Sequence, residues 1–329
     1  MIISQTPLRI SFAGGGTDLK AFYSQEEGWV ISSAIDKFIF VIVKERFDDK
    51  IYINYSKKEI VDEVDQIEHD LVREAMKKTG TKNGVEITTL ADIPSAGSGL
   101  GSSSSVTVGL LNALYAYNGE QVTAEQLARE ACEIEIDILG KPIGKQDQYI
   151  AAYGGLRFFR FRPDEQVDVE KVCLENGNNR KFGANLLLFY TGKTRKADAI
   201  LTEQKEQTSN KMYFLREIKK QAMEIKDLLC AREYNQVGDV LRRTWQLKKE
   251  LAKKITNGDI EEMFNSAMEA GALGGKISGA GGGGFLMLYC PREKQNQLRD
   301  ALKGYREFPF FLEKHGSRII FNMRSYEWK

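Results

Sequence analysis

The residues with the clearest chemical potential lie in a glycine- and serine-rich stretch, PSAGSGLGSSSS, at positions 94–105. Glycines let the backbone bend so that several N–H groups point at one spot. A helix that starts there adds free N–H groups and a partial positive charge, and together these bind phosphate. Serine hydroxyls can also bind Mg²⁺ or donate to phosphate oxygens. The stretch therefore predicts a phosphate-binding loop. A flexible connection is the alternative, but Leu100 lies in its middle and a strand and a helix are predicted on either side.

Two common nucleotide-binding motifs do not describe this loop. No lysine follows the glycines, as a G-x-x-x-x-G-K-[ST] loop requires. Ser104 also stands where the G-x-G-x-x-G pattern has its third glycine. The loop is therefore predicted to bind phosphate without either of these motifs.

Two further motifs each carry an acidic candidate residue. TPLRISFAGGGTD, at positions 6–18, places Arg9 on a predicted strand before a glycine turn and Asp18 after it. Asp18 could accept hydrogen bonds from ligand hydroxyls, or it could cap the turn. GKQDQY, at positions 144–149, places Asp147 near the predicted start of a helix, where an aspartate is more commonly a cap.

A second glycine cluster, KISGAGGGGF, occupies positions 276–285. Four consecutive glycines before a predicted strand suit close approach of the backbone to a ligand, although a bulge or a flexible turn would also use them. Taken together and in this order, the four motifs resemble those of the GHMP kinases, a family named for galactokinase, homoserine kinase, mevalonate kinase and phosphomevalonate kinase. Residues 94–103 are similar to the family's P-x-x-x-G-L-G-S-S loop, and residues 276–284 to its C-terminal glycine motif.

The resemblance implies an ATP-dependent kinase that uses ATP and Mg²⁺ and phosphorylates a hydroxyl of a small molecule. FAGGGTD, at 12–18, and YTGKTR, at 190–195, are similar to segments of the branch that acts on the anomeric hydroxyl of a heptose phosphate. The expected reaction is phosphorylation of D-glycero-D-manno-heptose 7-phosphate at C1, for nucleotide-activated heptose and cell-surface polysaccharide synthesis. A fucose, galactose or mevalonate kinase is one alternative, and a non-catalytic nucleotide-binding regulator on the same fold is another.

The resemblance also implies roles for individual residues. Asp147 is the expected catalytic aspartate, and Arg9 lies beside it and favours its ionised form. Ser103 and a glutamate are the expected magnesium ligands. Glu133 and Glu135 are two residues apart, so they cannot share a helix face, and Glu135 is the chosen ligand. The presence of the aspartate, the serine and the arginine favours an enzyme over a regulator.

The remaining site residues are expected to bind the two substrates. Those assigned to ATP are Pro94, Gly97, Ser98, Gly99, Leu100, Gly101, Ser102, Ser103 and Ser104, with Ser102 as the second choice for the metal-binding serine. Those assigned to the sugar phosphate are Gly15, Gly16, Thr17, Asp18, Lys193, Arg195, Gly281 and Gly282, with Lys193 and Arg195 as candidates for its phosphate group.

The elements that must position these residues do not alternate regularly. Strands and helices are mixed at first, a mostly helical stretch runs from 196 to 270, and a short α/β tail follows, which predicts an α+β fold. A length of 329 residues favours two domains. The resemblance implies an N-terminal α+β domain at 1–170 and a ferredoxin-like α+β domain at 171–329, with the active site in the cleft between them. The polar stretch 162–182 is predicted to be a linker or a surface excursion.

Composition excludes several other functions. With 47 basic and 46 acidic residues, the net charge of +1 provides no field to attract nucleic acid or a membrane. No apolar run reaches membrane-spanning length, and the first ten residues lack the pattern of a signal peptide. The four cysteines and two histidines show no metal-binding spacing. The chain is therefore predicted to be cytoplasmic and to bind a small molecule, with homo-oligomer formation left open.

Overall fold

The computed structural model describes residues 1–93, 97–172, 174, 178–193 and 197–323. Its strands are β1 Ile2–Ala13, β2 Gly28–Glu45, β3 Ile51–Asn54, β4 Lys58–Val61, β5 Val85–Ala91, β6 Leu156–Phe161, β7 Val167–Lys171, β8 Leu186–Tyr190, β9 Gly274–Ile277, β10 Phe285–Tyr289, β11 Arg306–Glu307 and β12 Arg318–Asn322. Its helices are α1 Lys20–Tyr23, α2 Asp70–Thr79, α3 Ser102–Asn118, α4 Ala124–Cys132, α5 Gln146–Tyr153, α6 Asn178–Gly183, α7 Ala197–Gln207, α8 Met212–Ala231, α9 Tyr234–Lys249, α10 Gly258–Glu269 and α11 Gln295–Ala301. The α+β prediction is confirmed.

A large sheet occupies the N-terminal half, with strand order β12-β1-β2-β5-β3-β4 and with β6 and β7 branching from β2. The branch exists because β2 is 18 residues long. Its first part pairs with β6 and its last part with β5, so one strand belongs to two stretches of sheet.

Helix α3 lies against this sheet, and its first turn carries the end of the candidate phosphate loop. Thirteen of its 17 residues are buried, so the helix is enclosed on nearly all sides by β1, β2 and the helices α2, α4 and α5. Close approach to the sheet depends on Gly109, because a Cβ there would lie 2.9 Å from the Thr6 hydroxyl oxygen. The N-terminus of α3 is therefore held rigidly.

The small sheet has the strand order β11-β8-β10-β9 and is antiparallel. Its central strand, β10, reads FLMLY and is buried along its whole length. Phe285, Met287 and Tyr289 join the core shared with the large sheet, while Leu286 and Leu288 join a second core. Both faces of the strand are covered, which explains an apolar run without alternation.

The chain returns to the large sheet near its end. Strand β12 pairs antiparallel with β1, and Gly154 makes room for the returning segment, since a Cβ there would lie 2.1 Å from the Gly316 nitrogen. The predicted linker at 162–182 contains β7, which pairs with β6. The division into two domains at residue 170 stays a prediction. Residues 318–322 fall in the C-terminal part of that division, yet they pair with β1 in the large sheet. Among the helices of the described residues, none has the length and apolar character needed to cross a membrane.

Candidate active site

A cavity of about 350 Å³ lies where the two halves of the chain meet. Its N-terminal walls come from β1, the turn after it, the glycine-serine loop and the start of α5. Its C-terminal walls come from α7, α8, α9 and the segment 276–280. The lining residues used below are Arg9, Gly15, Gly16, Asp18, Ser103, Glu135, Lys141, Gln146, Asp147, Lys248, Lys276 and Gly279.

The glycine-serine loop adopts a conformation that suits an anion. Its three glycines, Gly97, Gly99 and Gly101, have φ values of +74°, +73° and +78°, which other residues rarely adopt. Helix α3 begins at Ser102 without a side-chain cap, so its first N–H groups are free to bind a ligand. Leu100 is fully buried and anchors the loop in the core. Loop residues 97–99 and 101–104 line the cavity, whereas Pro94 is outside the described residues.

The second glycine cluster packs directly on this loop. A Cβ on Gly99 would lie 2.5 Å from the Ser278 carbonyl oxygen, and one on Gly284 would lie 2.5 Å from the Ser98 carbonyl oxygen. A Cβ on Gly279 would in turn lie 2.6 Å from the Cα of Gly99. The two motifs are therefore in backbone contact, and any side chain at these positions would force the loop to move.

The glycines that were predicted to bind the sugar do not all reach the cavity. Gly281 packs against Ile255, and the Gly282 N–H donates to the Ile255 carbonyl at 2.7 Å. Neither of the two lines the cavity, where the structure places Gly279 and Ala280. Close backbone packing against neighbouring segments explains these glycines.

Arg9 and Asp147 form a bidentate ion pair in the cavity wall. The Arg9 Nε and Nη2 atoms donate to the two carboxylate oxygens of Asp147 at 2.7 and 2.6 Å. The remaining Nη1 donates to the Gly99 carbonyl at 2.5 Å. Arg9 is nearly buried, whereas the Asp147 side chain keeps 23% of its exposure. The guanidinium thus fixes the carboxylate next to the loop and leaves it accessible from the cavity.

Ser103 and Glu135 meet beside the phosphate loop. The Ser103 hydroxyl donates to Glu135 Oε2 at 2.9 Å, and Gln148 Nε2 donates to Oε1 at 3.2 Å. Lys141 Nζ lies 3.9 Å from Oε2 and donates to the Ser103 oxygen at 3.3 Å. Burial raises the pKa of the Glu135 carboxyl, while Lys141 and the hydroxyl donors oppose that rise. A carboxylate and a hydroxyl are therefore held together inside the protein.

A π-helical turn selects which glutamate enters the site. The residues after α4, Glu133–Ile138, form this turn, in which Glu135 is fully buried. Glu133 instead points to α2 and pairs with Lys78 at 2.6 Å. Single π turns often occur at functional sites because they change the direction of side chains within a helix.

The donor set at Ser103 and Glu135 fits Mg²⁺. Both donors are hard oxygens, and the carboxylate is buried with only one cation, Lys141, near it among the described residues. No cluster of three or more His, Cys, Asp or Glu side chains suited to a metal occurs in the described part of the chain. Mg²⁺ usually keeps water and substrate phosphate oxygens among its ligands, so a site with two protein oxygens suits it.

The turn after β1 forms another part of the cavity. Asp18 is 3% exposed and accepts hydrogen bonds from the Gly16 N–H at 2.9 Å and from Gln146 Nε2 at 3.1 Å. Burial and the nearby Asp147 raise its pKa, and backbone N–H donors lower it. Gly15 and Gly16 line the cavity next to it.

Thr17, Lys193 and Arg195 were also predicted to contact substrate, and the structure does not bring Thr17 or Lys193 to the cavity. Thr17 is fully buried, and its hydroxyl donates to the Gly14 carbonyl at 2.7 Å, so it stabilises the turn. Lys193 is half exposed and pairs with Asp259. Arg195 lies outside the described residues.

Two buried lysines, to which the sequence had assigned no role, also line the cavity. Lys276 is 4% exposed and donates from Nζ to the Phe12 carbonyl at 3.1 Å. Lys248 is 8% exposed and donates to the Ile277 carbonyl at 2.9 Å and to the Gly279 carbonyl. Burial, together with neighbouring cations, lowers the pKa of both, that of Lys276 to about 7.

The sequence held one signal for these lysines. Lys276 is the first residue of the second glycine cluster and lies in the short strand GGKI, where an apolar residue would be expected. Lys248 lies in TWQLKKELAKK, among other lysines that are indistinguishable from it without the packing of α9. Only burial separates it from its neighbours.

Comparison with known proteins gives consistent matches. Two protein-family models match the chain: the GHMP kinases N terminal domain at residues 69–155 and the GHMP kinases C terminal domain at residues 225–306. The chain is 31% identical over 333 residues to the D-glycero-alpha-D-manno-heptose 7-phosphate kinase of Campylobacter jejuni, with 95% of this chain and 97% of that protein covered.

Two further matches show the range of similarity. The crystal structure of a D-glycero-D-manno-heptose 1-phosphate kinase from Bacteroides thetaiotaomicron has a TM-score of 0.82 at 26% identity, and the match covers 99% of this chain and 100% of that one. The bifunctional fucokinase/GDP-fucose pyrophosphorylase of Arabidopsis thaliana is 25% identical over 92% of this chain, which spans 31% of that longer protein.

Proposed function

We propose that this chain, which belongs to the GHMP kinase family, transfers the γ-phosphoryl group of ATP to the C1 hydroxyl of D-glycero-D-manno-heptose 7-phosphate. The kinase assignment rests on one observation above all: the bidentate Arg9–Asp147 pair lies against the phosphate loop in a single cavity. The choice of sugar is supported by the Campylobacter jejuni relative, which matches along almost its whole length. A cytoplasmic location belongs to the same proposal.

Asp147 acts on the acceptor hydroxyl. Because Arg9 binds both of its oxygens, the carboxylate has one fixed orientation toward the cavity. It accepts the proton of the C1 hydroxyl as that oxygen attacks the γ-phosphorus. The new C1–O–P bond forms while the bond between the γ-phosphorus and the β-phosphate oxygen breaks, ADP leaves, and the proton passes from Asp147 to solvent. The anomeric hydroxyl is more acidic than other sugar hydroxyls, so one carboxylate suffices as base.

The loop and the metal ligands stabilise charge on the phosphates. The uncapped N-terminus of α3 directs backbone N–H groups at the β- and γ-phosphates. Ser103 and Glu135 would hold Mg²⁺, which supplies positive charge against the phosphate oxygens when it is bound. Lys141 lies beside both residues and adds a further cation at this end of the cavity.

Gly15, Gly16 and Asp18 contact the acceptor sugar in this proposal. They line the same cavity as the Arg9–Asp147 pair. Asp18 lies so close to Asp147 that the charge of Asp147 raises the pKa of Asp18. The Thr17 hydroxyl donates to the Gly14 carbonyl, and this hydrogen bond stabilises the backbone of the turn.

The test is a comparison of kcat/KM with Mg·ATP for heptose 7-phosphate, heptose 1-phosphate, free heptose, L-fucose and D-galactose. We expect the 7-phosphate to be preferred, with ³¹P NMR showing a new phosphate on C1. A product without a C1 phosphate, or a preference for fucose or galactose, would reject the proposed sugar and leave the kinase assignment intact. Absence of ADP formation with every sugar would reject the kinase.

A further inference from the structure

We propose that Lys248 and Lys276 form the binding site for the phosphate group that the acceptor sugar already carries. This inference rests on the kinase function proposed above and specifies how the enzyme recognises a phosphorylated acceptor. The site replaces Lys193, one of the two residues that the sequence had suggested for that role, whereas the other, Arg195, lies outside the described residues. Lys193 does not line the cavity and is paired with Asp259.

The first argument is that neither lysine has an acidic partner. Throughout the described residues, no carboxylate lies within 4 Å of either Nζ atom, and both bind only backbone carbonyls. An ammonium group has three N–H donors. Lys276 uses one of them and Lys248 uses two, so donors from both groups are left for a ligand in the cavity that both side chains line.

The second argument is the balance of charge around the cavity. Among the ionisable side chains that line it, Arg9 is paired with Asp147, and Lys141 lies beside Glu135. The charge of Asp18 is already met by N–H donors of the turn and of Gln146. In the described part of the chain, Lys248 and Lys276 are the lining cations left without a partner, and a buried cation without one is costly. A phosphate dianion supplies the missing charge.

The third argument places this phosphate on the acceptor rather than on ATP. The charges that act on Lys276 are those of Arg9 and Asp18, and those that act on Lys248 are Lys276 and Arg9. Lys276 also contacts the Phe12 carbonyl, on the strand that leads directly into the glycine turn. Lys276 therefore lies beside the turn assigned to the acceptor, and Lys248 is close enough to Lys276 for the two charges to interact.

The experiment measures kcat/KM for heptose 7-phosphate and for free heptose in wild type, Lys276→Gln and Lys248→Gln. Glutamine keeps a donor for the backbone carbonyls but removes the charge. We expect each variant to lose about 10- to 100-fold with the 7-phosphate and less than about threefold with the free sugar, since hydrogen bonds to charged groups are the ones removed. The preference for the phosphorylated sugar should therefore collapse.

Two lysines outside the cavity serve as matched controls. Lys193→Gln tests the earlier assignment, and Lys249→Gln removes a charge next to Lys248 from a residue that pairs with Glu261 and does not line the cavity. Both should keep the preference. A collapse in Lys193→Gln would overturn the proposal. So would an equal loss with both sugars in the cavity variants, or a rise in the KM for ATP that is the same with either sugar.

A calorimetric measurement separates binding from a structural role. Because the pKa of free Lys276 is about 7, a bound phosphate should raise it and cause uptake of up to about one proton at pH 8. Titration of heptose 7-phosphate in two buffers of different ionisation enthalpy should show this uptake in wild type and its loss in Lys276→Gln. Equal uptake in both proteins would overturn the proposal.

Failure of the lysine site and failure of the proposed function give different results. If wild type phosphorylates neither sugar, the function fails, and inorganic phosphate can be titrated into wild type and the Lys248→Gln, Lys276→Gln double variant instead. Binding by wild type and its loss in the double variant would support the site, whereas equal behaviour would overturn it. The melting temperatures of the variants should be unchanged or higher, because a buried charge has been removed.

Discussion

Replacing Asp147 with asparagine is expected to stop phosphoryl transfer and leave nucleotide binding intact. The change removes the proton acceptor, and a positioned acid–base group is usually worth about 10²- to 10⁴-fold in rate. That corresponds to about 2.7–5.4 kcal/mol of transition-state stabilisation. The loop that binds the nucleotide keeps its backbone and its contact with the second glycine cluster.

The same change should also lower the unfolding free energy of the protein, and the hydrogen bonds of Arg9 indicate by how much. An asparagine at this position can accept only with its carbonyl oxygen, so one of the two Arg9 hydrogen bonds, at 2.7 and 2.6 Å, is lost. Arg9 is nearly buried, but its remaining bond to the Gly99 carbonyl and the 23% exposure of Asp147 limit the penalty to about 1–3 kcal/mol. Such a loss leaves the protein folded at assay temperature.

The assay combines ADP release at saturating sugar with binding of a non-hydrolysable ATP analogue. We expect kcat to fall by the factor above and the analogue's Kd to change less than about threefold. Glu125→Gln is the matched control, because Glu125 accepts from Tyr149 and Tyr153 on the same helix but faces away from the cavity. A kcat for Asp147→Asn within a few-fold of wild type would show that the aspartate is only a structural partner of Arg9 and would refute the mechanism.

Three other perturbations test separate parts of the site. Gly99→Ala should raise the KM for ATP at least about tenfold, because its Cβ would lie 2.5 Å from the Ser278 carbonyl oxygen, whereas Gly80→Ala, at a similar φ with nothing within 4 Å, should be active. Glu135→Gln should raise the Mg²⁺ concentration needed for half-maximal rate at least about tenfold and leave the KM for sugar unchanged, and an unaltered Mg²⁺ titration would contradict the metal assignment. Between pH 7 and 8.5, wild type should gain up to about 1.4 kcal/mol per pH unit in unfolding free energy relative to Lys276→Gln, because the unfolded chain keeps the lysine proton that folded Lys276 loses above its pKa of about 7. Parallel urea-unfolding curves for these two proteins across that range would show that Lys276 keeps its proton.

Local sequence rules account for where some helices begin and end. The Thr123 hydroxyl accepts from the Gln126 N–H at 3.1 Å at the start of α4, and Gly80 ends α2 in the left-handed conformation. These features depend on neighbours in sequence, so a single sequence contains them. The pairing of β12 with β1 joins residues 318–322 to residues 2–5, so no local sequence pattern predicts it.

The site was predictable as far as its glycines and charged residues lie in compact motifs. The sequence marked Lys276 as an unusual residue in its strand, but it could not show that this lysine faces a ligand cavity or that the Thr17 hydroxyl binds the backbone. Neither could it distinguish Glu133 from Glu135 by periodicity, since a π turn interrupts the ordinary helical repeat at that point. Burial and backbone direction decide these cases, and both are properties of the folded chain.

The pairing of β12 with β1 also affects how the protein is completed on the ribosome. Strand β1 finds β2 early in translation, but its other edge has no partner until residues 318–322 have emerged. At common rates of synthesis this interval is roughly 15–65 s. An open strand edge is a template for pairing with other chains. Until residues 318–322 pair with β1, this edge of the nascent protein is therefore open to pairing with strands of other chains.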